Sequence, residues 1–163
     1  MDLYGLFLEK LAELASAENL LIDGLPKLVK AATDGELQTA LGKHLKETEK
    51  QAVRIVDVFG SLRVKPERIA CKPMVALVAD GARAAAVRPV GVIRDLAILS
   101  AAQRVENFEI ATYFSAISLA KTLGYGDAAN LLVENLQEEQ RAAEHLKKIG
   151  KALLKQAQSE ACK

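Results

Sequence analysis

No tryptophan occurs in this chain, aromatic residues make up only 4% of it, and it has two histidines and two cysteines. With so few imidazoles, and no serine or cysteine in a recognisable nucleophile motif, a nucleophile triad has nothing to be built on. Cys71 and Cys162 lie far apart in the sequence, so free thiols are expected rather than a disulfide. Excess charge is lacking too: the formal net charge is +1, with acidic and basic residues interleaved. That gives no electrostatic footprint for a phosphate backbone, and nucleic acid is not expected as a partner. No uninterrupted apolar run is long enough to span a bilayer, so no membrane partner is expected. Met1-Asp2-Leu3-Tyr4-Gly5 begins amphipathic and acidic, without the basic start and apolar run of a secretion signal. A soluble, cytoplasmic protein is the expectation.

Proline and glycine are also sparse, four and ten residues, and cluster mostly between periodic segments. Half the residues are hydrophobic and 26% are charged, an ordinary globular composition. Ala, Leu, Glu, Lys and Val dominate, which favours an all-α fold, and no strand signal competes. The length, 163 residues, fits a single domain over 1–163. Within it, residues 1–59 read as a first helical hairpin, 60–91 as a crossover containing one short helix, 92–154 as a second hairpin, and 155–163 as a polar, frayed tail. The first helix is expected to bend near Asp23-Gly24-Leu25-Pro26, since Pro26 cannot donate its backbone bond. Thr33-Asp34-Gly35 breaks it, Gly60-Ser61 marks the end of the second, and Gly91 opens the third. Gly124-Tyr125-Gly126 ends that helix, and Asp127 is the candidate N-cap of the fourth. Two hairpins joined by a long crossover make a four-helix bundle.

Three glutamates stand where these helices should be apolar. Rotated at about 100° per residue, residues 92–123 gather Val92, Leu99, Ala102, Ile110, Tyr113, Ile117 and Ala120 around Glu106, with Glu109 close by. The same rotation gathers Phe7, Leu11, Leu14, Leu21, Ile22 and Leu25 around Glu18, and Leu132, Leu136, Ala143, Leu146 and Leu153 around Glu139. One such residue is ordinarily explained by a helix end, a snorkelling side chain or a buried ion pair. Three are harder to dismiss, because the halves resemble each other. Glu18-Asn19-Leu20 aligns with Glu106-Asn107-Phe108, and Leu45-Lys46-Glu47-Thr48 with Leu136-Gln137-Glu138-Glu139, at nearly the same offset.

Metal pairs in bundle interiors are held by one Glu on each of two helices and a Glu-x-x-His on each of the other two, because i and i+3 point the same way. Glu18 and Glu106 fill the single-glutamate positions, and Glu109 can add a ligand. The other helices depart from the pattern: Glu139 is followed at histidine spacing by Ala142, and Thr48 by Gln51. His44, one turn before Thr48 and within about 40° of its direction, can supply the missing imidazole; it reads equally well as a hydrogen-bonded core or boundary residue. Glu47 and Glu138 flank the inner face, able to swing in or stay solvated, and His145 points to the surface. Thr48, Gln51, Tyr113 and Asn135 are candidates for groups that orient the ligands or satisfy one another. The candidate metal set is therefore Glu18, Glu106, Glu109, Glu139, His44, Glu47 and Gln51, suited to one or two ions of iron or manganese. Left without metal, crowded carboxylates should carry raised pKa values.

Several strings resemble the YciF/YciE family of bacterial ferritin-like proteins: Ser16-Ala17-Glu18, His44-Leu45-Lys46-Glu47-Thr48, Cys71-Lys72, Ala101-Ala102-Gln103-Arg104-Val105-Glu106-Asn107-Phe108-Glu109-Ile110-Ala111, Leu123-Gly124-Tyr125 and Leu136-Gln137-Glu138-Glu139. The similarity covers nearly the whole chain in order. It implies a ferritin-like four-helix bundle, commonly dimeric, in proteins associated with stress responses. It further implies that Glu18, Glu106, Glu109 and Glu139 correspond to the carboxylates of a rubrerythrin-like di-iron centre, although Ala143 replaces an acidic residue often found after the Glu-Glu pair. Two readings follow: a bundle whose core binds metal, or a non-enzymatic, metal-free bundle acting through dimerisation or partner binding. Phe108 and Phe114, off the Glu106 face, would suit a homodimer contact.

Overall fold

The computed structural model describes residues 1–67 and 69–162. Among these residues there are five helices: α1 (Leu3–Ala31), α2 (Gly35–Leu62), α3 (Lys72–Ala85), α4 (Val92–Thr122) and α5 (Gly126–Ala161). No strand occurs among the described residues. Asp2 caps α1 by accepting from the Gly5 N–H at 2.7 Å, and Asp34 caps α2 by accepting from Leu37 at 2.8 Å. These bonds satisfy amides that have no partner within the helix. Helix α1 runs on through Pro26, which is exposed, so water can reach the carbonyl that the missing donor leaves free. Helix α2 takes in Gly60-Ser61 and stops at the next residue, Leu62, where Arg63 takes the left-handed conformation and the Val64 N–H returns to the Phe59 carbonyl. A left-handed Gly124, φ 82°, likewise closes α4, with the Tyr125 N–H donating to the Ala120 carbonyl at 2.9 Å. That turn places Tyr125 at the N-cap of α5 and Asp127 inside its first turn, where the acidic side chain faces the positive end of the helix dipole instead of capping it.

The expected frayed tail is helical as far as Ala161. Buried Leu153 and partly buried Ala157 extend the apolar stripe by another turn, and Gln156 donates to Glu160 at 3.0 Å across i and i+4. Two other expectations shift in degree. Ile22 and Ile110 are half-buried, and Phe108, a candidate homodimer contact by sequence, is partly buried against the chain's own core.

The connections from α1 to α2 and from α4 to α5 are short, so each pair folds back antiparallel. Contacts between α1 and α4 and between α2 and α5 close four long helices around one interior, and α3 lies against α1 and α4. A buried carboxylate ties the hairpin turn to this frame. Asp95, in the first turn of α4, accepts from the Thr33 amide at 2.7 Å, the Thr33 hydroxyl at 2.5 Å and the Asp34 amide at 3.0 Å. Asp95→Ala strips those three donors of their partner and is expected to cost about 2–4 kcal/mol. Urea unfolding should show a lowered midpoint at unchanged slope.

The interior is stratified. One apolar cluster takes Leu21 and Leu25 from α1, Leu37 and Leu41 from α2, Ile98 and Leu99 from α4, and Ile149 and Leu153 from α5. The other takes Phe7 and Leu11, Ile55 and Phe59, Tyr113 and Ile117, and Leu132 and Leu136 from the same four helices. Between them, at one level, every long helix turns polar: Glu18 on α1, His44, Thr48 and Gln51 on α2, Glu106 and Glu109 on α4, and Asn135 and Glu139 on α5 are all buried.

Candidate metal centre

Four carboxylates occupy this layer with almost no access to water: Glu18, Glu109 and Glu139 are 0% exposed and Glu106 is 1%. His44, 4% exposed, lies beside them. Its Nε2 is 3.3 Å from Glu106 Oε1 and 3.9 Å from Glu139 Oε2, yet aligned as a hydrogen bond to neither. His44, Glu106 and Glu139 each offer a ligand atom, and those atoms lie within 4.8 Å of one another. Three helices contribute one group each, from positions buried for no apolar reason.

Glu18 keeps one oxygen without a hydrogen-bond partner and Glu106 one; Glu109 and Glu139 keep both. Both nitrogens of His44, the Thr48 hydroxyl and the Gln51 side-chain carbonyl are unpartnered too. Each such group costs about 1–3 kcal/mol when buried unpaired, and more when it carries charge. Burial pushes the carboxyls of Glu18, Glu106 and Glu109 well above the ordinary carboxylate range, and the neighbouring charge of Glu139 raises each of them further. The phenol of Tyr113 is likewise driven up by burial and then by Glu18.

One ligand candidate is firmly held from outside. Tyr113 donates its hydroxyl to Glu18; Asn135 donates to that hydroxyl at 2.9 Å and accepts from Arg54 at 2.9 Å. Arg54 in turn forks onto Glu138, at 2.8 and 3.1 Å, and reaches Glu134 at 3.2 Å. An amide in the middle has no proton to relay, so this chain orients Glu18 rather than conducting. Arg54 was not singled out from sequence. Its only signal was the i, i+4 pair Glu134 and Glu138 on another helix, and the contact crosses the bundle.

The remaining candidates lie at the margin. Glu47 is half-buried and pairs with Lys43 at 3.2 Å, beside the cavity that His44 and Glu106 also line. Gln51 donates to Glu138 at 3.1 Å, so its amide nitrogen is committed away from the carboxylates. His145 is half-buried beside Glu36, 3.4 Å away, and lines the same cavity as Glu47. Cys71 is buried and Cys162 exposed, both free. No helix among the described residues is long and apolar enough to cross a membrane.

Fold and layer together define an all-helical domain whose long helices enclose a water-poor layer of carboxylates and one imidazole. The chain matches the family described as "Domain of unknown function (DUF892)" over residues 2–159. It is 38% identical over 134 residues to Protein YciF of Escherichia coli K12, covering 82% of this chain and 81% of that one. The crystal structure of the E. coli stress protein YciF matches with a TM-score of 0.92 at 33% identity, over 95% of this chain and 98% of that one. YcfI from Rhodopseudomonas palustris matches with a TM-score of 0.86 at 34% identity, over 90% of this chain and 94% of that one. The chain therefore belongs to the DUF892 family of YciF-like proteins, as its sequence resemblance implied.

Proposed function

We propose that this protein is a ferritin-like bundle that binds one or two metal ions in the layer of Glu18, His44, Glu106, Glu109 and Glu139. The observation that carries this reading is the set of unpartnered oxygens and nitrogens on these five residues, all of them buried. A cation there would pair with carboxylates that the protein itself leaves unsatisfied, and would offset the burial, and then the repulsion, that hold Glu18, Glu106 and Glu109 protonated. Carboxylate oxygens with a single imidazole suit iron or manganese; thiolates, which would favour softer ions, do not take part. Bound iron would supply one-electron chemistry toward oxygen or peroxide. The chain's own contribution is to hold the ligands: Tyr113 and Asn135 orient Glu18, while the two apolar clusters exclude water above and below.

Elemental analysis of protein purified with iron or manganese present should find one or two equivalents of metal per chain. Protein that remains metal-free after exposure to both would end this reading. A second reading, a non-enzymatic cytoplasmic bundle acting through homodimerisation or partner binding, has its own support. Gln51 and Ala142 stand at the histidine spacings, and Phe114 is 51% exposed. The E. coli relative is called a stress protein, and a stress-associated role suits either reading.

A further inference from the structure

Two cavities approach the carboxylate layer, and their linings differ in kind. One, about 70 Å³, is charged and polar, with His44, Glu47, Arg141 and His145 in its wall. The other, about 60 Å³, opens between α1, α3 and α4, among Gly24, Leu28, Leu77, Gly81 and Ala102. Glu106 lines both. In the apolar cavity it is the one acidic side chain, buried at the inner end and carrying an unpartnered oxygen, while exposed Lys27 and Ala82 stand at the rim.

We propose that the cavity between α1, α3 and α4 is a binding site for an uncharged, apolar molecule smaller than benzene, presented to the carboxyl of Glu106. Size sets the upper limit: a dry, apolar cavity of roughly 150 Å³ is what benzene fills. Polarity sets the class. Water needs two or more polar partners to stay in a cavity, and nearly all of this wall is aliphatic. A glycine keeps the space open. A Cβ at Gly81 would meet Leu28 methyls at 3.5 and 3.6 Å, an ordinary contact, so alanine would fit and would favour helix α3. Glycine stands there, and the missing methyl belongs to the cavity. Any chemistry done on the occupant rests on the metal reading; the binding does not.

Methyl-labelled protein titrated with xenon tests this directly. Shifts are expected at Leu28, Leu77 and Val78, with none at Leu11 or Leu132 in the opposite apolar cluster, and benzene should shift none of them. Gly81→Ala should weaken the xenon response and Ala102→Val should abolish it. An unresponsive wild type, or a response that both variants leave unchanged, overturns the proposal. Xenon binding in protein that takes up no metal supports the cavity and ends the metal reading; metal uptake without xenon binding does the reverse.

Discussion

Adding Fe(II) or Mn(II) to metal-free protein is expected to raise its Tm by roughly 5–10 °C when free metal exceeds its Kd a hundredfold. A ligand that binds only the folded state stabilises it by about 2.7 kcal/mol at that ratio, and a chain of this size gains about 2–4 °C per kcal/mol. The buried layer supplies the reason. Six carboxylate oxygens on Glu18, Glu106, Glu109 and Glu139 have no hydrogen-bond partner, and unfolding would disperse them before any cation could be held by all four. Glu106→Leu separates this effect from nonspecific ion binding. Without metal, a leucine of similar volume removes an unpaired buried carboxyl, so stability should stay level or rise. The metal-dependent gain, however, should disappear. An equal gain in Glu106→Leu would place the bound ion elsewhere, and no gain in wild type would favour the non-enzymatic bundle.

The helices, and the glutamates that interrupt them, were legible because both are local. Period 3.6 marks α1, α2, α4 and α5, and a glutamate inside an apolar stripe must be buried wherever that stripe packs. Glu18, Glu106 and Glu139 are buried for this reason. Helix ends were legible to within a residue or so: Gly60-Ser61 lies in the last turn of α2, and the left-handed residue that closes it is Arg63 and not a glycine. What sequence could not supply was pairing across the bundle. Nothing local says that Arg54 reaches Asn135 and Glu138, or that Asp95 reaches back to Thr33, because each bond depends on how two helices are placed. His44 falls between the cases. Its direction was readable from the helix period, but its position 3.3 Å from Glu106 follows from the packing of α2 near α4.

The metal-free protein should also lose stability as pH rises, the reverse of ordinary acid denaturation. Glu18, Glu106 and Glu109 all hold their protons well above the ordinary carboxylate range in the folded chain, through burial first and the charge of Glu139 second. A carboxyl raised in this way holds its proton in the folded chain and releases it on unfolding. Its stabilising effect is complete below the unfolded pKa and is lost as pH rises toward and through the folded one. From about pH 5 upward, each such proton should cost about 1.4 kcal/mol of stability per pH unit. Because the three groups repel one another, they titrate as a set, and Glu109→Gln should flatten the slope by removing one member. Bound metal changes the sign: its ligands must be deprotonated, so affinity rises with pH, and the metal gain in Tm should be largest where the metal-free protein is weakest. Urea unfolding from about pH 5 to pH 8, with chelator and with Mn(II), checks both curves. A metal-free curve that is flat or rises over that range would mean the carboxylates find partners or water in solution, and the case for a cation would lose its physical basis.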